Sequence, residues 1–283
     1  MDRAAAIFEE HRPFLRSLGY RMLGTLADAE DIVQETWLRW AAVPMAEVDA
    51  PRSFLAKTAT RLCLDHLKSA RVRRETYVGE WLPEPVADEA EEVTGEDVSF
   101  AVMIAMERLT PLERAAFLLH DVFGESFEEI GGLLSRPAAT CRQLASRARR
   151  HLRTAAPRHQ VEAGEGRRLA TAFLHAARSG DLEGLKRILL PDAVLISDGG
   201  GVVKAALRPI LGSDRIARMF ESLTRRKTPP EELREVRFSG LEGFMYLSGG
   251  SVTDIILFDP GEGGIARMYC IRNPRKLSRA AVA

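Results

Sequence analysis

Cysteine is scarce, with only Cys63, Cys141 and Cys270 among 283 residues. An odd number, wide separation and no CxxC spacing exclude a disulfide framework and suggest no zinc ribbon, so a reducing compartment is the natural home and neither metal nor cofactor is expected. Net charge is missing too, with 40 Lys plus Arg set against 40 Asp plus Glu. Long apolar runs are absent: none approaches the roughly 18 residues of a membrane span. The opening MDRAAAIFEEHRPFLR is broken by charge every few residues, which leaves no apolar stretch for a signal peptide. The expectation is a cytoplasmic protein with no membrane partner. Its length predicts two or three domains, because single cores stop growing near 250 to 300 residues.

Neutrality overall hides local imbalance. Arg136, Arg142, Arg147, Arg149, Arg150, Arg153 and Arg158 follow one another without a carboxylate between them, whereas Asp88, Glu89, Glu91, Glu92, Glu96 and Asp97 form an acidic run. One stretch suits phosphate and the other repels it.

Residues 1–75 read as helices. Ile7, His11, Phe14 or Leu15, Leu18 and Met22 keep one face apolar. Asp28 can cap a second helix with Val33, Trp37 and Trp40 inward, and Pro51 opens a third that buries Phe54, Leu55, Ala59 and Leu62. Residues 76–97 carry prolines, few periodic apolar residues and the acidic run, and read as a linker. A second helical unit fills 98–157, where Thr110 with Glu113 and Ser126 with Glu129 form capping boxes that start helices near residues 111–122 and 127–134. Over 158–283 a helix bearing Leu169, Phe173, Leu174 and Ala177 and the stretch GDLEGLKRIL lead into β-rich runs at 193–197, 237–238, 244–247, 255–258 and 265–271, which predicts helices on a curved antiparallel sheet.

Residues 127–134, the turn Ser135-Arg136-Pro137 and a helix over 138–153 have the spacing of a helix-turn-helix, whose second helix enters the DNA major groove. Cys141, Ala145, Ala148 and Leu152 give that helix a narrow apolar face. Arg142, Ser146, Arg149 and Arg153 repeat the spacing one residue on, with Gln143, Arg147 and Arg150 beside them. Arg grips guanine edges or phosphates, and Gln143 or Thr140 can read adenine or other edges. A solvated basic face on an ordinary hairpin is the bland alternative; the two capping boxes and the absence of acids weigh against it.

The whole of residues 1–155 resembles the extracytoplasmic-function (ECF) type of bacterial RNA polymerase sigma factor. DAEDIVQETWLRW, at 28–40, resembles the region-two helix that docks on the β′ clamp helices of core polymerase. PRSFLAKTATRLCLDHLKSARVRRE resembles the promoter-melting segment, and residues 109–153 resemble region four, which reads the minus-thirty-five duplex beside the β flap. The resemblance assigns Asp31, Gln34 and Glu35 to polymerase. It gives the loop over 44–51 with Arg52 to the single-stranded minus-ten element, and phosphate contacts to Arg61, Lys68, Arg71, Arg73 and Arg74. Arg136-Pro137 departs from the usual cap before the recognition helix. Two boxes one and a half turns apart lie roughly 50 Å from each other, within the roughly 70 Å reach of a 22-residue linker at ~3.3 Å per residue.

Residues 158–283 resemble a SnoaL-like (NTF2-like) α+β cone domain, so the chain as a whole is expected to be multidomain, two all-α sigma domains and one cone. The fused arrangement is similar to a sigma-factor subgroup with three signatures. These are WLPEP (Trp81, Leu82, Pro83, Glu84, Pro85), DGGG (Asp198, Gly199, Gly200, Gly201) and NPRKL (Asn273, Pro274, Lys276, Leu277, with Arg275 where Asp is usual). Val202 stands where Lys is common, leaving Lys204 displaced. The resemblance implies that this extension regulates the sigma factor from within, the linker docking on the cone. A small-molecule ligand of the cone is left open. Catalysis is not expected, because Asp198, Asp254 and His175 are the obvious acid or base candidates and nothing in the sequence places two together. The competing reading is a ligand-sensing helix-turn-helix regulator that never enters polymerase; the helix at 28–40 discriminates the two.

Overall fold

The computed structural model describes residues 3–44, 48–75, 77–87, 99–153, 164–226 and 231–278, and for 69–75 and 226 the backbone alone. The acidic run at 88–97 lies outside the described residues. The chain divides into two compact units. The first holds Met1–Glu75, Ala90–Val98 and Val102–Ala156, and the second Thr76–Glu89, Ser99–Ala101 and Pro157–Ala283.

The first unit opens with α1 (Arg3–Leu23), α2 (Leu26–Ala41) and α3 (Pro51–Glu75). The buried side of α1 is Ala4, Phe8, Leu15, Leu18 and Met22, so Ile7 and His11 sit at the edge of the stripe rather than within it. The cap of α2 is Thr25, whose hydroxyl accepts from the Asp28 amide at 3.1 Å; Asp28 stands inside the first turn, a correction to the expected boundary. Trp40 is fully buried and donates its indole N–H to the Ala4 carbonyl at 2.8 Å, which ties the two helix ends together. Next come α4 (Phe100–Met106), which the sequence did not announce and whose first two residues count with the second unit, and α5 (Pro111–Phe117), prolonged by one π turn over Leu118–Val122. Then follow α6 (Phe127–Leu134) and α7 (Ala138–Arg153). Both capping boxes form, and Ser135 closes α6 in the left-handed region at φ 54°. Cys141, Ala145, Ala148 and Leu152 are the buried residues of α7, as their spacing predicts.

The second unit contains α8 (Glu165–Ser179), α9 (Leu182–Ile188), β1 (Leu189–Asp198), β2 (Ile210–Leu211), α10 (Ser213–Arg226), β3 (Glu232–Phe238), β4 (Leu241–Ser248), β5 (Ser251–Gly261), β6 (Gly264–Ile271) and α11 (Pro274–Leu277). Strand order is β2-β1-β6-β5-β4-β3. β1 runs parallel to β6, so the sheet is mixed and not wholly antiparallel. A chain that enters the sheet from α9 and returns to β1's side only after α10 and three further strands imposes that crossover. One face carries Leu195, Phe244, Ile256, Phe258 and Met268 against Phe173, Ala177, Leu185 and Phe220 of the helices. By the two-residue period, Met245, Leu247, Ile255, Leu257, Tyr269 and Ile271 point to the other face. They are buried as well, at 7% exposure or less. That double burial explains the uninterrupted run Ile255, Ile256, Leu257, Phe258, since a strand covered on both sides has no polar alternation.

Candidate functional site

On α7 the apolar stripe leaves Arg142, Gln143, Ser146, Arg147 and Arg150 exposed, with Thr140 and Arg149 half-buried. Two of these arginines already have partners. Arg149 Nε donates to Asp121 at 2.7 Å, and the Arg142 guanidinium lies 5.2 Å from the centre of the Phe127 ring. Glu129, capping Ser126, has its carboxyl held below the usual range by the Ser126 hydroxyl and amide. The helix thus offers four donors in the order Arg142, Gln143, Arg147, Arg150 along one side, a ladder that can follow a groove.

On α2, Asp31 and Gln34 are exposed and Glu35 is half-buried, pairing with Arg39 at 3.2 Å. Leu38 joins them at the next turn and is 63% exposed, a large apolar side chain left in solvent on the same face. Sequence reasoning passed over it; its spacing of four and seven from Gln34 and Asp31 was the available signal. Arg52, Arg61 and Lys68 are exposed along α3. The side chains of Arg71, Arg73 and Arg74, and positions 45–47 of the expected minus-ten loop, lie outside the described residues.

The second unit brings the three signatures together. Asp198, at the end of β1, is fully buried. Its Oδ1 accepts from the Tyr77 hydroxyl at 2.5 Å and the Gly200 amide at 3.0 Å. Its Oδ2 accepts from the Leu82 amide at 3.0 Å and the Lys276 ammonium at 2.6 Å. Lys276, 4% exposed, also donates to the Leu82 carbonyl and lies 4.1 Å from the centre of the Trp81 ring. Both backbone groups of Leu82 are therefore held by one buried ion pair. Asn273 caps α11 and donates to the Tyr77 oxygen at 2.9 Å. Burial, and then the Asp198 carboxylate, push the Tyr77 phenol up, so it stays a donor.

Local backbone explains the glycines. Gly200 has φ 65°, and a Cβ there would stand 2.5 Å from the Asn273 amide carbon; at Gly199 it would stand 2.1 Å from the Val203 carbonyl oxygen. Only glycine lets the loop approach this closely. Val202 is 69% exposed and takes no part. Lys204 contributes its carbonyl, which accepts from Arg272. Residues 82–86, including Pro83, Glu84 and Pro85, are all buried. The Val86 carbonyl accepts from the Ser239 amide at 2.9 Å, and Ala87 bridges Phe238. Tyr77, an aromatic four residues before Trp81, is the member of this cluster that the sequence did not single out.

The candidate acid and base residues are scattered. Asp198 is locked in this cluster, Asp254 is paired with Arg272, and His175 is exposed on α8. Among the described residues, no helix is long and apolar enough to cross a membrane.

Comparison with known proteins matches the family Sigma-70 region 2 over residues 7–73 and Sigma-70, region 4 over residues 99–152. The chain is 42% identical over 233 residues to the ECF RNA polymerase sigma factor SigJ of Mycobacterium tuberculosis, covering 78% of this chain and 73% of that protein. It is 38% identical to the probable ECF sigma factor SigI of the same species, covering 76% and 75%. The crystal structure of M. tuberculosis SigJ superimposes with a TM-score of 0.77 at 33% identity, covering 97% of this chain and 98% of that one. A regulator that never enters polymerase is not favoured, because it would have no use for region two. The chain belongs to the ECF RNA polymerase sigma factors, which bind core polymerase and direct it to promoters through these two regions.

Proposed function

We propose that promoter recognition is divided between the two exposed basic surfaces, and that the C-terminal domain restrains the process by holding the linker. Asp31, Gln34 and Glu35, with Leu38, form the polymerase-docking face of region two: acidic groups at its rim and one apolar anchor. Arg52 takes the minus-ten strand, and Arg61, Lys68, Arg71, Arg73 and Arg74 take phosphates. Thr140, Arg142, Gln143, Ser146, Arg147 and Arg150 read the minus-thirty-five duplex, and Arg149 joins them once it leaves Asp121. The C-terminal domain acts by binding, without turnover.

The observation that carries the restraint is the capture of Leu82 by the Asp198–Lys276 pair. A linker between two promoter-reading modules has to follow the path polymerase gives it, and residues 82–86 cannot do so while buried in the C-terminal unit. The test is run-off transcription with core polymerase. The full chain is expected to stimulate initiation at its promoter, and Lys276→Ala or a chain ending near residue 164 is expected to change that output. No stimulation by any form would refute the division of labour. Unchanged output from both altered forms would refute the restraint.

A further inference from the structure

Two arginines of α7 are held by the stretch of chain that precedes the helix-turn-helix. α5 is prolonged by the π turn over Leu118–Val122, where the Phe123 amide donates to the Leu118 carbonyl at 3.0 Å. Single π turns occur disproportionately at functional sites. Two neighbours in this one, His120 and Asp121, both serve α7, the first by way of Phe127. The His120 ring stacks on Phe127, centre to centre at 4.0 Å with 29° between the planes. Its Nδ1 lies 2.9 Å from the Glu125 carbonyl oxygen. A carbonyl only accepts, so Nδ1 carries the hydrogen and the ring is pinned. The centre of the Phe127 ring in turn lies 5.2 Å from the Arg142 guanidinium, and Asp121 accepts from Arg149 Nε at 2.7 Å.

Arg142 and Arg149 stand two helical turns apart, about 10 Å along α7. They are held by different chemistry, and the difference decides what each can do. An aromatic face holds a guanidinium without using its N–H donors, so Arg142 is oriented while its fork stays open to a base edge. A free arginine loses rotamer freedom when it docks, and a stacked one has lost part of it beforehand. A carboxylate does the opposite, because it takes up a donor and cancels the charge. Arg149 reaches a phosphate only by giving up Asp121, whose side chain is 25% exposed and whose charge then opposes the phosphate. Binding to unrelated sequences rests on phosphate neutralisation, so withholding Arg149 weakens that binding and leaves base reading by Arg142 untouched.

We propose that Phe127 and Asp121 are positioning residues for promoter discrimination. Phe127, steadied by His120, presets Arg142 for a base, and Asp121 withholds Arg149 from the phosphates of a wrong duplex. The inference rests on the reading of α7 as the minus-thirty-five helix. Both residues act through an arginine and meet no base themselves.

Selection from a randomised duplex pool by the full chain assembled with core RNA polymerase, followed by sequencing, gives the preference at every base pair. Arg142→Ala marks the base pair that Arg142 reads as the one whose preference it lowers. Phe127→Leu is expected to lower the preference at that same base pair about two- to fivefold and to leave the others as in the parent. Phe127→Tyr, which keeps a ring, should retain it. Unchanged preference there in Phe127→Leu overturns the preset; an equal loss at every base pair overturns it too, since the ring is then merely structural. If Arg142→Ala lowers none, the assignment of Arg142 to a base fails and the preset falls with it, while the part played by Asp121 stands on its own measurement. Asp121→Asn should tighten binding of the unselected pool and steepen the fall of log affinity with log salt by about 0.9, one further phosphate. Anisotropy over a salt series reads this, and Arg149→Ala added to Asp121→Asn should remove the gain. A slope left unchanged by Asp121→Asn overturns the withholding.

Discussion

Replacing Lys276 by methionine tests the linker clamp most directly. Methionine keeps most of the stem, so the change removes a charge and three donor hydrogens without opening a large void. The ammonium serves Asp198 at 2.6 Å, the Leu82 carbonyl and the Trp81 face at 4.1 Å. Removing one partner of a buried pair costs about 3–5 kcal/mol. Here Asp198 keeps three donors, from Tyr77, Leu82 and Gly200, which places the loss near the lower end, at about 3 kcal/mol. Since 1.4 kcal/mol is a factor of ten, the equilibrium between held and released linker shifts about a hundredfold. The chain has only three tryptophans, so fluorine resonances from 5-fluorotryptophan report Trp81 separately from Trp37 and Trp40, and urea titration followed at Trp81 gives the free energy. Asp198→Asn alone and with Lys276→Met completes a double-mutant cycle. Coupling within the ~0.3–0.5 kcal/mol of ordinary additivity, or a loss below about 0.5 kcal/mol for Lys276→Met, would refute the clamp.

Three further outcomes are expected. Arg142→Ala and Arg147→Ala should each weaken binding to minus-thirty-five duplex by about 1–3 kcal/mol where they read a base, or lower the salt slope by about 0.9 where they meet a phosphate; fluorescence anisotropy over a salt series checks both. Gly200→Ala should destabilise the C-terminal unit by more than about 1 kcal/mol, since it adds a Cβ at φ 65° against Asn273; thermal unfolding measures it. Asp259, 2% exposed beside Arg267 and Tyr269, has its pKa raised by burial against the opposing pull of Arg267. The folded state therefore holds that proton more tightly than the unfolded one. Stability from this residue rises as pH falls from the raised value toward the ordinary 3.8. Urea unfolding between pH 4 and 7 should show the slope in the parent and lose it in Asp259→Asn.

Local signals were legible where a few neighbouring residues decide the outcome. Thr110 with Glu113 and Ser126 with Glu129 specify their own helix starts, and the i, i+4, i+7, i+11 pattern from Cys141 fixes the buried face of α7. The signatures of the C-terminal extension pointed to the residues that meet around Leu82, but not to how they meet. The sheet's mixed character was hidden because direction is set by pairing between residues as distant as Leu195 and Met268. α10 carries a short apolar stripe, Ile216, Ala217 and Phe220, among charged residues, too sparse a signal beside the β-rich runs to announce a helix. The prolines and acids of 76–97 read by themselves only as a linker, and its docking on the C-terminal domain came from the resemblance rather than from the residues. Burial of residues 82–86 depends on a surface contributed by residues more than a hundred positions away.

The prolines of the linker have a physical reason that leads to a last expectation. A segment entering a buried groove must find a partner for every backbone N–H it carries, and each unmet one costs about 1–3 kcal/mol. Pro83 and Pro85 are buried and carry none. The Leu82 amide goes to Asp198, and the Val86 carbonyl is met by Ser239. The two rings also hold φ near −65° in the free chain, so less backbone freedom is lost on docking. Pro83→Ala with Pro85→Ala should therefore weaken capture twice over, by about 0.4–1 kcal/mol per ring through chain entropy and by more through the two new buried amides. The first contribution persists if the alanines are N-methylated by chemical ligation, only in part, whereas the second disappears. Recovery of most of the lost Trp81 protection on N-methylation would assign the prolines chiefly to donor removal; no recovery would overturn that account and leave stiffness as the reason they stand there.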